Sequence, residues 1–475
     1  MRIIILGAGQ VGASVAENLV SEENDITLID MDKNLLGALQ DRLDIRTVVG
    51  NAAYPTTLRD AGAEDAEVLI AATQSDQTNL VACKVAQSVF HIPTRIARLR
   101  SADFLEDDKL LGPDNFAVDY AICPEQDITD YIVKLVEYPE ALQVLEFGNG
   151  RLSLVGVRAF EGGPLIGRPL CEVQIHLPNV DFRVAAIFRG DEAIIPEGST
   201  VIAPGDEIFL LAATENIRYA LEELRRMDRP VKRVMIAGCG NIGMRLARRL
   251  EKDYQVKVIE GAKVRADFVA QQLNKALVLV GDATDGDLLE EENIDEMDLF
   301  LALTNDDEDN IMAATLAKRL GCRRVLALIN RKAYAEMVQG GPIDIAMSPA
   351  QIAISCVLAH FRRGDVARVH SLRRGLAEAL EIVAHGDAMT SKVVGRRIDQ
   401  IDLPRGATIA AIVRDLDSRE VIGMQDVAIK MALGHVEMAH HDTLIEPDDH
   451  VIVFCTSKKL VPKVERLFQV SIGFI

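Results

Sequence analysis

The sequence MRIIILGAGQVG, residues 1–12, opens the chain with an apolar run that leads directly into a GxGxxG loop. The sequence KRVMIAGCGNIG, residues 232–243, has the same pattern, and Gly238 follows Gly7 by 231 positions. Glycines at these places let a strand turn sharply into a helix and let the backbone come close to a pyrophosphate. The free N–H groups at the start of the helix then face the phosphates. The two loops therefore predict two nucleotide-binding units.

The similarity between the two halves of the chain extends well beyond the glycine loops. Asp30 and Glu260 each close a second apolar run, about 20 residues after the loop. A carboxylate there can accept hydrogen bonds from a ribose diol and would repel the 2′-phosphate of NADP, which favours NAD-type or adenosine ligands. Thr73 and Asn79 recur 231 positions later as Thr304 and Asn310, and landmarks that recur at a fixed spacing indicate a duplicated unit. The alternative is a structural Rossmann unit that has lost its ligand.

Polar residues after the third and fourth apolar runs are further candidates. Asn51-Ala52 and Asp282-Ala283 would lie beside an adenine ring, and Thr73 and Thr304 would lie at the crevice where such sheets hold ligands. Helix N-capping is an equally good account of these polar side chains, and one residue can do both. Arg98 and Arg100 follow a predicted strand, where guanidinium groups could meet phosphates or could simply be surface arginines.

The pattern of predicted secondary structure changes near residues 140 and 365. Before each change, strand and helix patterns alternate, which predicts a parallel sheet. After it come short strand-like runs separated by turn signals. We expect an α/β chain with two Rossmann-like domains, each followed by a small α+β domain. The predicted bounds are 1–138, 139–228, 229–362 and 363–475, with a charged linker at 225–232 and an extended loop at 415–444.

Composition excludes several classes of partner. The net charge of −20 over 475 residues argues against nucleic acid and against direct adhesion to anionic lipid. No apolar stretch reaches the roughly 20 residues that span a bilayer. The seven cysteines include no CxxC pair, which is typical of reduced thiols in the cytosol. We expect a cytoplasmic protein that meets a membrane only through a protein partner.

No catalytic residue and no metal site are predicted. A dehydrogenase would pair one dinucleotide domain with a dissimilar substrate domain carrying an acid or base, whereas here a small β-rich module is repeated. The four histidines His435, His440, His441 and His450 match no zinc spacing, and the acidic run 306–309 is better read as a solvated face than as a cation site. An NAD-dependent oxidoreductase remains the alternative.

The larger units resemble RCK (KTN) domains, a family that regulates potassium conductance. The small modules resemble the RCK C-terminal domain, down to Pro204-Gly205-Asp206-Glu207 and the apolar run that follows. The tandem arrangement resembles the cytosolic subunits of bacterial Trk-type potassium-uptake systems. A sensor subunit of another cation transporter is the alternative.

The resemblance implies a homotetramer whose eight N-terminal units form a ring on the cytoplasmic face of the inner membrane. The ring would gate a membrane-embedded TrkH- or TrkG-type potassium channel subunit in response to NAD(H) and ATP or ADP. The last helix of each unit, Glu125–Val136 and Pro349–Phe361, would cross to pack on a neighbour. Arg98 or Arg100 would reach a neighbour's nucleotide phosphate. Leu328 and Asn330 occupy the aligned places in the second half, so we expect the first unit to distinguish ATP from ADP.

The sequence patterns and the resemblance together predict a set of nucleotide-binding residues for each unit. For the first unit it comprises Gly7, Ala8, Gly9, Gln10, Val11, Gly12, Asp30, Asn51, Ala52, Thr73, Asn79, Arg98 and Arg100. For the second unit it comprises Gly238, Cys239, Gly240, Asn241, Ile242, Gly243, Glu260, Asp282, Ala283, Thr304 and Asn310.

Overall fold

A computed structural model of the chain describes residues 1–20, 24–105, 108–139, 141–161, 166–172, 181–190, 192–224, 230–338, 341–349, 352, 357, 366–372, 376–414 and 435–470. The chain divides into two compact units, and each combines segments from both halves of the sequence. Unit 1 contains Met1–Val136, here called N1, and Val231–Val357, called N2. Unit 2 contains Glu137–Pro230, called C1, and Leu358–Ile475, called C2.

A six-stranded parallel sheet with the strand order β3-β2-β1-β4-β5-β6 is the core of N1. Its central strands are apolar and buried on both faces, as parallel sheets covered by helices require. The strands are β1 Arg2–Leu6, β2 Asp25–Asp30, β3 Arg46–Val49, β4 Val68–Ala71, β5 Thr94–Arg98 and β6 Tyr120–Ile122. The helices are α1 Gln10–Val20, α2 Lys33–Gln40, α3 Pro55–Asp60, α4 Asp76–Phe90, α5 Asp108–Leu111 and α6 Pro124–Glu137, the last of which ends at the first residue of C1.

N2 repeats this architecture with the order β14-β13-β12-β15-β16-β17. In both sheets the order reverses between the first and fourth strands, and ligands of such sheets bind at that switch point. The strands of N2 are β12 Arg233–Ala237, β13 Gln255–Glu260, β14 Leu277–Val280, β15 Leu299–Ala302, β16 Val325–Leu328 and β17 Ile345–Met347. Its helices are α8 Asn241–Leu250, α9 Lys263–Gln272, α10 Gly286–Glu291, α11 Asp307–Arg319 and α12 Lys332–Met337.

C1 and C2 each contain a five-stranded antiparallel sheet, in the equivalent orders β10-β9-β11-β8-β7 and β21-β20-β22-β19-β18. In C1 the elements are β7 Ala141–Phe147, β8 Leu152–Arg158, β9 Phe182–Arg189, β10 Glu192–Ile194, β11 Glu207–Ala213 and helix α7 Ile217–Leu224. In C2 they are β18 Val366–Leu372, β19 Ala377–Ala384, β20 Ala407–Arg414, β21 His435–Met438, β22 Asp449–Cys455 and helix α13 Val461–Phe468.

The predicted fold class is confirmed, and one local expectation is corrected. Residues 435–438 belong to the segment predicted as an extended loop, but they form β21, which pairs with β20 and matches β10 of C1. Residues 415–434 lie outside the described residues, as do most of the predicted helix Pro349–Phe361 and residues 225–229 of the linker. Among the helices described above, none has the length and apolar character needed to cross a membrane.

A buried carboxylate joins the two sheets of unit 2. Glu381 of β19 accepts hydrogen bonds from Nδ1 of His450 (2.6 Å) and from the backbone N–H of Gly148 in C1 (3.1 Å). Burial by itself raises the pKa of Glu381, but the hydrogen bonds from His450 and Gly148, together with the charges of His450 and Arg368, leave the pKa below its ordinary value. The ionised form of Glu381 therefore stabilises the contact between C1 and C2.

Glu381→Ala should lower the free energy of local opening in β7 and β19 by about 2 kcal/mol, because it leaves the buried N–H of Gly148 and the partly buried Nδ1 of His450 without an acceptor. Hydrogen exchange of the full chain measures this energy segment by segment. The folded pKa of Glu381 is below 4.5, so its contribution is complete above that pH and is lost as the pH falls through the folded value. The difference between wild type and variant should shrink accordingly.

The matched control is His385→Ala, which removes an exposed histidine–carboxylate pair (Nδ1 of His385 to Oδ1 of Asp448, 2.7 Å). That variant should change the opening energy by less than about 0.5 kcal/mol. Equal effects of the two variants would contradict the role assigned to Glu381.

Candidate functional site

The two glycine loops have the same geometry. Gly7 (φ +98°) and Gly238 (φ +89°) adopt backbone angles that favour glycine. A Cβ on Gly12 would lie 1.9 Å from the carbonyl oxygen of Gly7, and a Cβ on Gly243 would lie 2.1 Å from that of Gly238. The third glycine of each loop therefore lets the first helix pack closely against the end of the first strand.

The middle glycine of each loop faces open space. A Cβ built on Gly9 or on Gly240 would meet no atom within 4 Å. The fold therefore does not require glycine at either position, whereas a phosphate that approaches the backbone does. The residues between the glycines divide by role: Gln10 and Asn241 are exposed at the helix starts, whereas Ala8, Val11 and Cys239 are buried beneath the loops.

The two candidate carboxylates hold the loops from the second strand. Asp30 accepts hydrogen bonds from the backbone N–H groups of Ala8 (2.6 Å) and Asp32 (2.8 Å). Glu260 does the same for Cys239 (3.0 Å) and Ala262 (3.1 Å). Both carboxylates are partly exposed, and each oxygen keeps a free lone pair. They can therefore position the loop and still accept a hydrogen bond from a ribose hydroxyl.

Asn79 and Asn310 differ from the other candidates because their side chains are fully buried. Oδ1 of Asn79 accepts from the hydroxyl (2.6 Å) and the N–H (3.0 Å) of Thr73, and its Nδ2 donates to the carbonyl of Arg98 (2.8 Å). Asn310 makes the equivalent bonds to Thr304 and Leu328. Each buried asparagine therefore fixes the loop that follows the fourth strand of its sheet, here called the threonine loop (Thr73 in N1, Thr304 in N2). The threonine is the partly exposed member of each pair.

Two buried aspartates that were not among the candidates fix the next loop. Asp76 accepts from the backbone N–H groups of Arg100 (3.0 Å) and Ser101 (2.9 Å). Asp307 accepts from those of Asn330 and Arg331. This bonding confirms the alignment of Arg100 with Asn330. The spacing of 231 between Asp76 and Asp307 is the signal in the sequence that could have identified them.

N1 carries a cluster of two arginines and a glutamate. Nη2 of Arg98 lies 2.6 Å from Oε1 of Glu125 at the start of α6, and Nε of Arg100 lies 3.8 Å from the same oxygen. The side chains of Arg98 and Glu125 are 11% and 10% exposed, whereas that of Arg100 is 35% exposed. The Nε atoms of both arginines and Oε2 of Glu125 are buried without a hydrogen-bond partner. The two Nε–H groups therefore have unused hydrogen-bonding capacity toward an anion, whereas Oε2 of Glu125 is an acceptor without a donor.

N2 carries carboxylates where N1 is neutral. At the spacing of 231, Asp282, Asp306 and Asp309 take the places of Asn51, Ser75 and Thr78. Partial desolvation, together with the charges of Asp306, Asp282 and Glu308, raises the pKa of Asp309 above its ordinary value. The charges of Asp306 and Asp282 therefore act on Asp309.

The remaining candidates have local roles. Asn51 accepts from the N–H of Ala53 (2.9 Å) beside the buried Ala52, and Asp282 accepts from Thr284 beside the half-buried Ala283. Burial raises the pKa of the Cys239 thiol to about 11, so the thiol remains protonated at neutral pH. In the described part of the chain no three His, Cys, Asp or Glu side chains are placed to bind a metal.

Family models match both N segments and one C segment. The TrkA-N domain matches residues 3–124 and 234–349, and the TrkA-C domain matches residues 154–225 within C1. Among solved structures, the GsuK RCK domain aligns with a TM-score of 0.61 at 17% identity, covering 98% of this chain and 94% of that one. At that identity the similarity concerns the fold, and it assigns both N–C pairs to the RCK architecture.

Curated relatives match the chain from end to end. The Trk system potassium uptake protein TrkA of Halomonas elongata is 51% identical over 474 residues, and that of Vibrio alginolyticus is 50% identical over 476. The protein of the same name from Haemophilus influenzae is 48% identical over 476 residues. In each case both chains are covered completely. The chain belongs to the TrkA family of Trk system potassium uptake proteins.

Proposed function

We propose that this chain is the nucleotide-binding regulatory subunit of a Trk-type potassium-uptake system. The observation that carries the proposal is the pair of open glycine loops: a side chain at Gly9 or Gly240 would meet no protein atom within 4 Å, and a carboxylate beside each loop can accept a hydrogen bond from a ribose. The names of the curated relatives support potassium uptake as the process. One protein of the same fold is described as a channel bound to NAD.

Regulation accounts for the architecture better than catalysis does. The edges of the two N sheets present Asp, Asn, Thr and Arg side chains, whose bonds hold loops and suit the recognition of ribose and phosphate. Hydride transfer to a substrate needs a positioned acid or base and a substrate pocket beside the nicotinamide. The chain instead repeats the pairing of a nucleotide unit with a small module. Such a repeat suits a scaffold that changes shape when its ligands bind.

The different charges of the side chains at the two sites favour different ligands. N1 has Arg98 and Arg100 at the edge where N2 has Leu328 and Asn330, and N2 adds three carboxylates. Guanidinium groups bind phosphate oxygens strongly, whereas carboxylates repel a polyphosphate. N1 therefore binds ATP or ADP and distinguishes them by the γ-phosphate. N2 binds NAD(H), which carries fewer phosphate charges.

The assembly follows the family pattern. Four chains form a ring of eight N segments on the cytoplasmic face of the inner membrane, beneath a TrkH- or TrkG-type pore. A ligand gates the pore only if its affinity differs between the two shapes of the ring. Shifting the ring from 1:99 to 99:1 takes roughly 5.5 kcal/mol, or about 1.4 kcal/mol at each of four equivalent sites. One additional charge-assisted contact to a γ-phosphate is sufficient.

Alanine at the middle glycines should separate the two sites. Gly9→Ala should abolish saturable binding of ATP and ADP and leave NADH binding intact, and Gly240→Ala should do the reverse. In each case the added methyl group occupies space that the protein leaves empty, so folding is unaffected. Calorimetric titration of the full chain measures the affinities. Potassium flux through the pore subunit in vesicles should lose its response to the corresponding nucleotide.

Gly37→Ala is the matched control, since its Cβ also meets no atom within 4 Å but lies on helix α2. It should bind both nucleotides as wild type does. The proposed function is wrong if wild type binds neither nucleotide, and the assignment of sites is wrong if one variant loses both.

The arginine cluster should set the preference of N1 for ATP over ADP. In a Gly240→Ala background, Arg100→Ala should lower ATP affinity about tenfold and ADP affinity much less, because one γ-phosphate contact of about 1.4 kcal/mol is lost. Arg98→Ala should have a smaller effect on the ratio, since that guanidinium is already bonded to Glu125. The control is Arg59→Ala, an exposed arginine paired with Glu64. An unchanged ATP/ADP ratio in both cluster variants would exclude this role.

Replacing two carboxylates of N2 by their N1 counterparts should admit ATP. In a Gly9→Ala background, which has no saturable ATP binding, Asp306→Ser with Asp309→Thr should produce measurable ATP binding at low salt and change NADH affinity little. The helix cap survives, because Ser75 caps α4 in N1 as Asp306 caps α11 in N2. Asp253→Asn, an exposed change at the far end of α8, is the control. An equal gain in that control would refute the electrostatic argument.

A further inference from the structure

The first helix of N2 contacts the last helix of N1 through two arginines. Arg245 and Arg249, one turn apart on α8, face Gln126 and Asp130, one turn apart on α6. Nη1 of Arg245 lies 3.4 Å from Oε1 of Gln126, and Nη1 of Arg249 lies 2.8 Å from Oδ1 of Asp130. The first repeat has Ser14 and Asn18 at the equivalent positions. These arginines are therefore not a requirement of the Rossmann fold.

Arg245 also contacts the loop that carries the N1 arginine cluster. Its Nη2 donates to the carbonyl oxygen of Arg100, and its Nη1 lies 3.4 Å from the sulfur of Cys123, just before α6. Asp76 holds the N–H of Arg100 from inside N1. The backbone of Arg100 is thus held by N1 at its N–H and by N2 at its carbonyl group.

The same helix begins at the nucleotide loop of N2. Gly240 is the N-cap of α8, and Arg245 lies five residues later, which corresponds to about 7.5 Å along the helix axis. The close contact of Gly243 with Gly238 prevents α8 from moving independently of the loop. A ligand that draws the start of α8 toward its phosphates therefore also displaces Arg245.

We propose that Arg245 is a positioning residue that couples the two nucleotide sites of one chain. Binding at N2 sets the position of α8, Arg245 transmits it to the carbonyl of Arg100, and the Arg98–Glu125–Arg100 cluster takes one of two arrangements. In one, the arginines bind Glu125; in the other, they bind a phosphate. The inference rests on the proposed function, because it needs a ligand at each site.

Arg249 offers the contrast that isolates this role. Its side chain is 53% exposed, and that of Asp130 is 40% exposed, so the pair is a surface ion pair of small energy. It joins the same two helices, but within the described part of the chain it makes no hydrogen bond to Arg100 or Cys123. Loss of Arg249 should weaken the packing of α8 on α6 without removing the link to the cluster.

The test measures the affinity of the full chain for ATP with and without saturating NADH. In wild type the two values should differ about fivefold or more, and the affinity for NADH should change by the same factor when ATP is saturating. In Arg245→Ala the ATP affinities measured with and without NADH should differ by less than twofold. The affinity of this variant for each nucleotide alone should stay within about threefold of the wild-type value. Arg249→Ala should keep the wild-type factor.

Arg245→Lys provides a second variant that keeps the charge and cannot span the carbonyl and Gln126 together. Arg245→Lys should also lose the effect of NADH on ATP affinity, and it remains informative if Arg245→Ala fails to fold. The inference is overturned if both nucleotides bind wild type independently, or if the Arg245 variants keep the wild-type factor. Failure of the proposed function looks different, because wild type then fails to bind one or both nucleotides, and in that case no coupling exists either.

Discussion

The close approach of the first helix to the first strand is the constraint on which both candidate sites depend. It exists only because Gly12 and Gly243 have no side chain, since a single methyl group would overlap the carbonyl of the first loop glycine. This approach directs the helix N-terminus at the space beside the middle glycine. The carboxylates of Asp30 and Glu260 then hold the loop from the neighbouring strand. Everything that a nucleotide would contact is built around this junction.

The two repeats have the same backbone geometry around this junction, but the charges of the surrounding side chains differ. The backbone bonds of the threonine loop and of the loop after the fifth strand are the same in N1 and N2. At the candidate sites the repeats differ in side chains at the edge of the sheet, where Arg98 and Arg100 of N1 correspond to Leu328 and Asn330 of N2. A duplicated domain can acquire a second ligand in this way without any change in its core, because edge residues contribute little to stability.

Much of this could be predicted from the sequence because its signals are local. Asp30 and Glu260 end β2 and β13 as expected, since an apolar run that closes on a carboxylate marks each strand clearly. The roles of Asn79 and of Glu125 could not be predicted, because they depend on bonds to residues 19 and 27 positions away along the chain. The contact of Arg245 with Arg100 spans 145 positions and follows no periodicity. Long-range pairing of this kind is specified by tertiary structure and not by a local pattern.

The order of segments along the chain has a consequence for synthesis. N1 is complete when Val136 emerges from the ribosome, but its partner within unit 1 ends only at Val357, after all of C1. At about 5–20 residues per second, N1 waits roughly 10 to 45 s for the end of that partner. Until α8 has been made, the surface of α6 that later meets Arg245 and Arg249 lacks these two partners. The interleaved order thus makes each unit a late product of translation, completed only when its own segment of the second repeat has been made.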